Sequence, residues 1–150
     1  MKQVTLGIAA GAVLATWVAP TAAADATTAL KSEVDSARAA AGCPPLQSDP
    51  ILDGVAQRAN SETDSNILHT ARFIPFEDPM PVLRDLGYNT SKAKMLVGYG
   101  DVEAKANRGV VVEGYAAIPD CSYTKYGVNA LSDGDGDQGY VLAAVVLAGP

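Results

Sequence analysis

His69 is the only histidine in the chain, and a single imidazole limits the chemistry that one copy can perform. A zinc site made from two or three imidazoles cannot form within one such chain. A serine or cysteine hydrolase would have to use His69 as its base, yet no serine lies in a G-x-S-x-G nucleophile elbow. His69 is therefore either a base or ligand that lines a cleft, or a hydrogen-bonded histidine that holds its own loop.

Three aspartates near the C-terminus, Asp133, Asp135 and Asp137, alternate with glycine in the manner of a calcium-binding loop. The EF-hand loop requires glycine at its sixth position and glutamate at its twelfth. Gln138 and Ala144 occupy those positions here. We therefore predict a solvated hairpin turn, with weak calcium binding by the three carboxylates as the alternative.

Residues 1–24 are predicted to be a signal peptide. Lys2 supplies a positive charge, residues 4–18 are apolar and uncharged, and Ala22-Ala23-Ala24 offers the small residues that signal peptidase recognises. Cleavage before Asp25 would leave a single domain over residues 25–150 and a secreted, extracellular protein; Ala24-Asp25-Ala26 is a second candidate site. The alternative is an uncleaved membrane anchor, although the apolar run is shorter than the roughly 20 residues that a spanning helix needs.

Cys43 and Cys121 both lie after this leader. An even number of cysteines in an exported chain predicts a disulfide, and two cysteines allow one pairing. Closing that loop would stabilise the fold by about 4–5 kcal/mol if the gain is chain entropy. The alternative is a pair of free, buried thiols.

The chain is acidic, with 17 aspartates and glutamates, 11 lysines and arginines, and a formal net charge of −6. Nucleic acid and anionic membranes are disfavoured as partners, because such a surface repels both at long range. The sequence has no dinucleotide, phosphate or haem signature, so no cofactor is expected. We expect a monomer whose mature part has no membrane span.

Apolar spacing and capping signals predict an α+β chain. Four helices are expected, over 26–41, from Asp49-Pro50 onward, from Pro81 to Leu86, and over 104–117. The second is expected to fray between Asn60 and Asn66. In the fourth, the valines at 110–112 also suit a strand. Strands are expected over 95–99, 126–131 and 140–148, the last two forming a hairpin. Residues 67–81 are predicted to be an ordered loop with apolar anchors.

Several short segments occur in the order that one family shows. Arg38-Ala39-Ala40-Ala41-Gly42 and Pro44-Pro45-Leu46 are similar to its N-x-x-R-x-x-x-G-x-x-P-L opening, and His69-Thr70 stands where its first cleft histidine is expected. Later matches are Leu86-Gly87-Tyr88, Val97-Gly98 and Tyr123-Thr124-Lys125-Tyr126-Gly127-Val128. Over residues 30–148 the chain therefore resembles the CAP superfamily, which comprises cysteine-rich secretory, antigen 5 and pathogenesis-related-1 proteins.

The resemblance implies a three-layer α–β–α sandwich, in which helices flank a small, mainly antiparallel sheet. The family's cleft has two histidines and two acidic residues, which hold a divalent metal in some members. Here Gly98-Tyr99-Gly100-Asp101 stands in place of the family's G-E-N signature, and residues 118–122 lack the second histidine. The tetrad is therefore broken, and no metal site is expected.

The resemblance further implies a secreted, non-catalytic domain that binds a small lipid or sterol, or a protein partner. We expect the cleft to have a polar lining of His69, Tyr99 and Asp101 and an apolar wall of Phe73, Ile74 and Phe76. One alternative is a secreted hydrolase with His69 as base and Asp101 as the residue that orients it. The other is an exported structural or antigen-like protein without a small ligand.

Overall fold

The computed structural model describes residues 22–134 and 138–150, in which four helices and four strands follow one another. The helices are α1 (Ala22–Ala40), α2 (Pro50–Ile67), α3 (Pro79–Asp85) and α4 (Glu103–Glu113). The strands are β1 (Gln47–Ser48), β2 (Lys92–Gly100), β3 (Lys125–Asp133) and β4 (Tyr140–Gly149). Residues 1–21 of the predicted signal peptide, and Asp135 and Asp137 of the predicted turn, lie outside the described residues.

The strands form one sheet in the order β1-β3-β4-β2. β1 is parallel to β3, whereas β4 is antiparallel to both β3 and β2, so the sheet is mainly antiparallel as predicted. The register places Val145 of β4 between Val128 of β3 and Leu96 of β2. Because β4 has a strand on either side and helices on both faces, every residue of it is buried, which explains its nearly continuous apolar sequence.

The two faces of the sheet carry separate apolar cores. α1 and α4 cover one face, with a core that includes Leu30, Val34, Leu96, Ala106, Val110, Val128, Val141, Ala143, Val145 and Leu147. α2 and α3 cover the other, with a core that includes Leu52, Val55, Ala56, Ala59, Val82, Leu83, Met95, Ala144, Val146 and Ala148. Successive residues of β4 alternate between the cores, as the pleat of a strand requires. The predicted three-layer α+β sandwich is therefore confirmed.

Two glycines let the helices approach the sheet closely. A Cβ atom on Gly98 of β2 would lie 1.9 Å from the carbonyl oxygen of Ala106 in α4, and one on Gly127 of β3 would lie 2.0 Å from the carbonyl carbon of Leu52 in α2. Both obstacles are backbone atoms, which cannot move aside as a flexible side chain can. Only glycine allows these helix–sheet distances.

A cluster that we call the pinned corner joins the end of α1 to the start of β3. Cys43 and Cys121 form a disulfide with a Cα–Cα distance of 5.2 Å, so the predicted bridge is confirmed. Beside it, the Arg38 side chain is buried, with 2% of the residue exposed. Its guanidinium donates hydrogen bonds to four carbonyl oxygens, those of Pro44 (3.1 Å), Ile118 (2.8 Å), Asp120 (2.7 Å) and Tyr123 (2.6 Å).

The predicted fraying of α2 between Asn60 and Asn66 is wrong, because the helix continues to Ile67. Tertiary contacts hold its last turns. The buried Asn60 amide donates to the Asn129 carbonyl at 3.0 Å, and Asp64 accepts a hydrogen bond of 2.7 Å from the Tyr140 hydroxyl. Helices in proteins gain most of their stability from such packing rather than from local propensity.

Two other helix boundaries differ from the prediction. α3 begins at Pro79 rather than Pro81, because the Asp78 carboxylate caps the helix by accepting from the Met80 amide at 2.9 Å. α4 ends at Glu113, with Gly114 as its C-cap, rather than continuing to residue 117. Within residues 22–134 and 138–150, no helix combines the length and the apolar character needed to cross a membrane.

Candidate functional site

The loop that follows α2, residues 68–77, carries the predicted histidine and the apolar wall. His69 has a φ of +55°, a left-handed conformation that is uncommon outside glycine. Directly after it, the backbone amides of Thr70 and Ala71 both donate to the Ser65 carbonyl, at 2.8 and 2.9 Å. The left-handed residue turns the chain back along α2, so the rest of the loop lies beside that helix.

A groove of about 530 Å³ lies between α2 and this loop, and we call it the α2 groove. The side of α2 contributes Arg58, Ser61, Glu62 and Ser65, and the loop contributes residues 70–74 and Phe76. Phe73 and Ile74 are 84% and 88% exposed, the largest exposed fractions among the large apolar side chains in the described part of the chain. The predicted apolar residues Phe73, Ile74 and Phe76 therefore do line one concave surface.

Charged groups occupy one wall of the α2 groove. The Arg58 guanidinium forms an ion pair of 2.7 Å with Glu62, one helical turn further along. It also lies over the Phe76 ring, 5.6 Å from the ring centroid, at a distance at which a cation is attracted to the aromatic face. These two contacts hold Phe76 against α2.

A second groove, of about 450 Å³, lies on the other side of the same loop, and we call it the edge groove. Its walls are Thr63 of α2, residues 74–77 of the loop, and Glu113 at the end of α4; its floor is Lys94, Met95 and Val97 of β2. The Glu113 carboxylate accepts a hydrogen bond of 2.5 Å from the Val97 amide. Ile74 and Phe76 line both grooves.

The three predicted polar residues line neither groove. His69 is exposed at the end of α2. Tyr99 is 63% exposed on β2, and its ring stacks on that of Tyr140 with centroids 5.9 Å apart. Asp101 forms an exposed ion pair of 2.8 Å with Lys105, and the hydrogen bond from that ammonium lowers the pKa of Asp101.

Among the described residues, no three His, Cys, Asp or Glu side chains are grouped as a metal site would require.

The sequence analysis missed three hydrogen bonds between tyrosine hydroxyls and aspartates. Tyr88 donates to Asp49 at 2.8 Å, Tyr126 to Asp35 at 3.2 Å, and Tyr140 to Asp64 at 2.7 Å. The members of each pair are far apart in sequence, so no local spacing indicates them.

These contacts raise the pKa of each tyrosine. Burial, followed by the bond to Asp49, raises the pKa of Tyr88 to about 12. The bond to Asp64 is the main cause that raises the pKa of Tyr140 to about 12. Burial, aided by Asp35, raises the pKa of Tyr126. All three hydroxyls stay protonated at neutral pH and act as donors. Tyr126 and Tyr140 join the sheet to α1 and α2, whereas Tyr88 joins the segment before β2 to the N-cap of α2.

Comparison with known proteins relates this architecture to solved structures. No protein-family model and no curated protein matches the sequence. A cysteine-rich secretory protein from Staphylococcus aureus subsp. aureus Mu50 superimposes with a TM-score of 0.60 at 15% identity, covering 86% of this chain. The chain has a CAP-like fold.

An outer surface protein from Borrelia burgdorferi is also similar. It superimposes with a TM-score of 0.67 at 14% identity, and the match covers 83% of this chain and 92% of the Borrelia protein. The chain spans 40% of the length of the staphylococcal protein. At these identities the likeness establishes the CAP-like fold, and the residues of the grooves must be interpreted from their own chemistry.

Proposed function

We propose that this chain is an exported CAP-like binding domain, not an enzyme, and that the α2 groove takes a small ligand with an apolar body, such as a lipid or sterol. The observation that carries the proposal is the pair Phe73 and Ile74, exposed side by side at the rim of a concave surface. The groove's volume of about 530 Å³ lies within the range of small-molecule sites.

The energetics of the rim support this proposal. Large apolar side chains gain about 1.5–3 kcal/mol each when they are removed from water. An apolar ligand that covered Phe73 and Ile74 would gain part of that free energy at two adjacent positions. The groove wall adds three hydroxyls, those of Ser61, Ser65 and Thr70, which can satisfy a polar group on the same ligand.

The surroundings of His69 support binding over hydrolysis. A catalytic histidine needs a nucleophile on one ring nitrogen and an orienting group on the other. Asp101, the predicted orienting residue, is engaged by Lys105, and His69 lies outside both grooves. We propose for His69 a positioning role, because its left-handed backbone turns the loop that carries Phe73 and Ile74 back along α2.

Export is part of the proposal. The Cys43–Cys121 disulfide suits an oxidising compartment, and residues 1–24 have the composition of a signal peptide. Mass spectrometry of the mature protein tests this, with an N-terminus at Asp25 expected after secretion. Retention of residues 1–24 would contradict it.

Thermal unfolding of the mature domain with a panel of fatty acids and sterols tests the binding proposal. A ligand that occupies the groove raises the melting temperature in a concentration-dependent manner. The double variant Phe73→Ser, Ile74→Ser should lose that shift, and His69→Ala should reduce it. Tyr115→Ser is the matched control, since Tyr115 is 81% exposed but lines neither groove.

Two results would overturn the proposal. One is a wild-type protein that no member of the panel stabilises. The other is a stabilisation that the double variant retains in full, which would locate the ligand elsewhere. Hydrolysis of an ester substrate that is lost in His69→Ala would instead favour the enzyme alternative.

A further inference from the structure

β2 lies at one edge of the sheet. β4 pairs with one side of its nine residues, and in the described part of the chain no strand pairs with the other side. An edge strand of this length presents backbone donors and acceptors that can pair with another chain unless they are covered.

The direction of the free edge follows from one hydrogen bond. The Val97 amide donates to the Glu113 carboxylate, so it points away from β4. In an antiparallel pair, alternate residues direct their backbone polar groups to the same side. Met95 and Tyr99 therefore also direct theirs outward. Glu113 provides Val97 with the kind of oxygen that the carbonyl of a neighbouring strand would provide.

The edge groove runs along this same part of β2. Residues 74–77 form its wall on the α2 face of the sheet, and Glu113 forms its wall on the α4 face. Apolar side chains line it on both the strand and the loop, with Val97 46% exposed and Ile74 88% exposed. The groove thus combines an outward amide with apolar contacts, which are the two features by which a sheet edge recognises an extended peptide.

We propose that the edge groove docks an extended segment of a partner protein, which adds to the sheet as a strand beside β2. The two walls decide between occupants. They favour a single extended segment, because the edge of a second copy, with helices on both faces of its own sheet, would meet residues 74–77 and Glu113.

Charge defines the sequence of that segment. Glu77 and Glu113 line the groove together with one cation, Lys94, in a chain whose formal net charge is −6. The partner segment alternates apolar side chains, which contact Val97 and Ile74, with basic ones. On docking, a carbonyl of the segment replaces the Glu113 carboxylate on the Val97 amide, and Glu113 pairs with a basic side chain of the segment.

Isothermal titration of the mature domain with short blocked peptides tests this inference. The probes are a peptide that alternates lysine with valine and its twin in which glutamate replaces lysine. The lysine peptide should bind at least about tenfold more tightly than the glutamate peptide. Binding of neither peptide, or equal binding of both, would overturn the inference.

Backbone methylation distinguishes strand addition from simple charge attraction. An added strand directs every second amide toward β2. Methylating one alternating set of peptide amides should therefore abolish binding, while methylating the other set changes the Kd by less than about twofold. Equal losses from both sets would show that the peptide does not pair with β2.

Two variants locate the site. Glu113→Lys should remove or reverse the preference for the lysine peptide, because it changes the charge of one wall. Phe73→Ser should leave peptide binding unchanged, because Phe73 lines the α2 groove but not the edge groove. An unchanged preference in Glu113→Lys would overturn the inference, and neither result depends on whether the α2 groove binds a lipid.

Discussion

The pinned corner and the 68–77 loop are connecting regions of the same domain, but they are held very differently. In the pinned corner, one buried guanidinium binds four carbonyl oxygens beside a disulfide. The 68–77 loop is tied to Ser65 near its start, and its Phe73 and Ile74 then extend into solvent. The first arrangement fixes irregular backbone through buried hydrogen bonds and a covalent bridge. The second leaves apolar surface available, as binding sites on loops require.

Removing the disulfide should produce the largest effect. The double variant Cys43→Ser, Cys121→Ser should lower the free energy of unfolding by about 4 kcal/mol, because the open chain gains entropy in the unfolded state. Urea unfolding measures the change. The reduced wild-type protein serves as the control and should match the variant. A loss below about 1 kcal/mol would mean that Arg38 alone fixes the corner.

Arg38→Ala should come next, at about 3 kcal/mol, because it leaves a cavity and deprives four carbonyl oxygens of their donor. Arg72→Ala in the 68–77 loop is the matched control, since Arg72 is exposed, and it should change stability by less than about 0.5 kcal/mol. Similar losses in the two variants, measured by the same urea titration, would contradict the contrast between the regions.

Asp49→Asn should have a smaller, pH-dependent effect. The Asp49 carboxylate caps α2 by accepting from the Ile51 amide, and it also accepts from the Tyr88 hydroxyl. Burial alone would raise the pKa of Asp49, but these hydrogen bonds and the nearby Lys125 lower it below the ordinary value of 3.8. Asparagine keeps the cap but loses the charge. At pH 7 we expect a loss of about 1 kcal/mol.

The sign of the pH dependence follows from the lowered pKa. The unfolded state binds a proton at Asp49 more readily than the folded state does, so this contribution to stability is complete above pH 3.8 and is lost as the pH falls through the lower, folded value. The difference between wild type and Asp49→Asn should therefore shrink in acid. A constant difference from pH 7 to pH 3 would show that the carboxylate's charge contributes nothing.

The smallest effect should come from the loop itself. Phe73→Ser and Ile74→Ser should each change the free energy of unfolding by less than about 0.5 kcal/mol, because these side chains are already in water. The same variants should reduce ligand binding. Arg38→Ala should show the reverse pattern, with lower stability and unchanged ligand binding in the protein that remains folded. A loss above about 2 kcal/mol would show that the loop packs against the core in solution.

The elements that bury a periodic apolar face were predictable from the sequence. α1, α2, β2 and the β3–β4 hairpin all occur where spacing and capping indicated, because each local pattern agrees with its tertiary setting. The disulfide followed from cysteine number and the predicted export. The end of α2 was not predictable, since Asn60 and Asp64 hold it through residues of β3 and β4 that lie far away in the sequence.

The candidate site was predicted only in part. Phe73, Ile74 and Phe76 line one groove, because they are neighbours in one loop, and their binding of a ligand stays a prediction. Whether His69, Tyr99 and Asp101 act together stays a prediction. No motif indicates a role for Glu113, because its contact with Val97 depends on how α4 lies across the sheet.

The close contact between α4 and β2 also limits how this protein can diverge. Gly109 of α4 lies against Gly98 of β2, so that a Cβ on Gly109 would be 3.1 Å from the Gly98 Cα, and a Cβ on Gly98 would collide with Ala106. A larger residue at position 98 requires α4 to shift as a whole, and Glu113 would move with it. Positions 98 and 109 therefore constrain each other, and homologues that keep the carboxylate at position 113 should keep small residues at both.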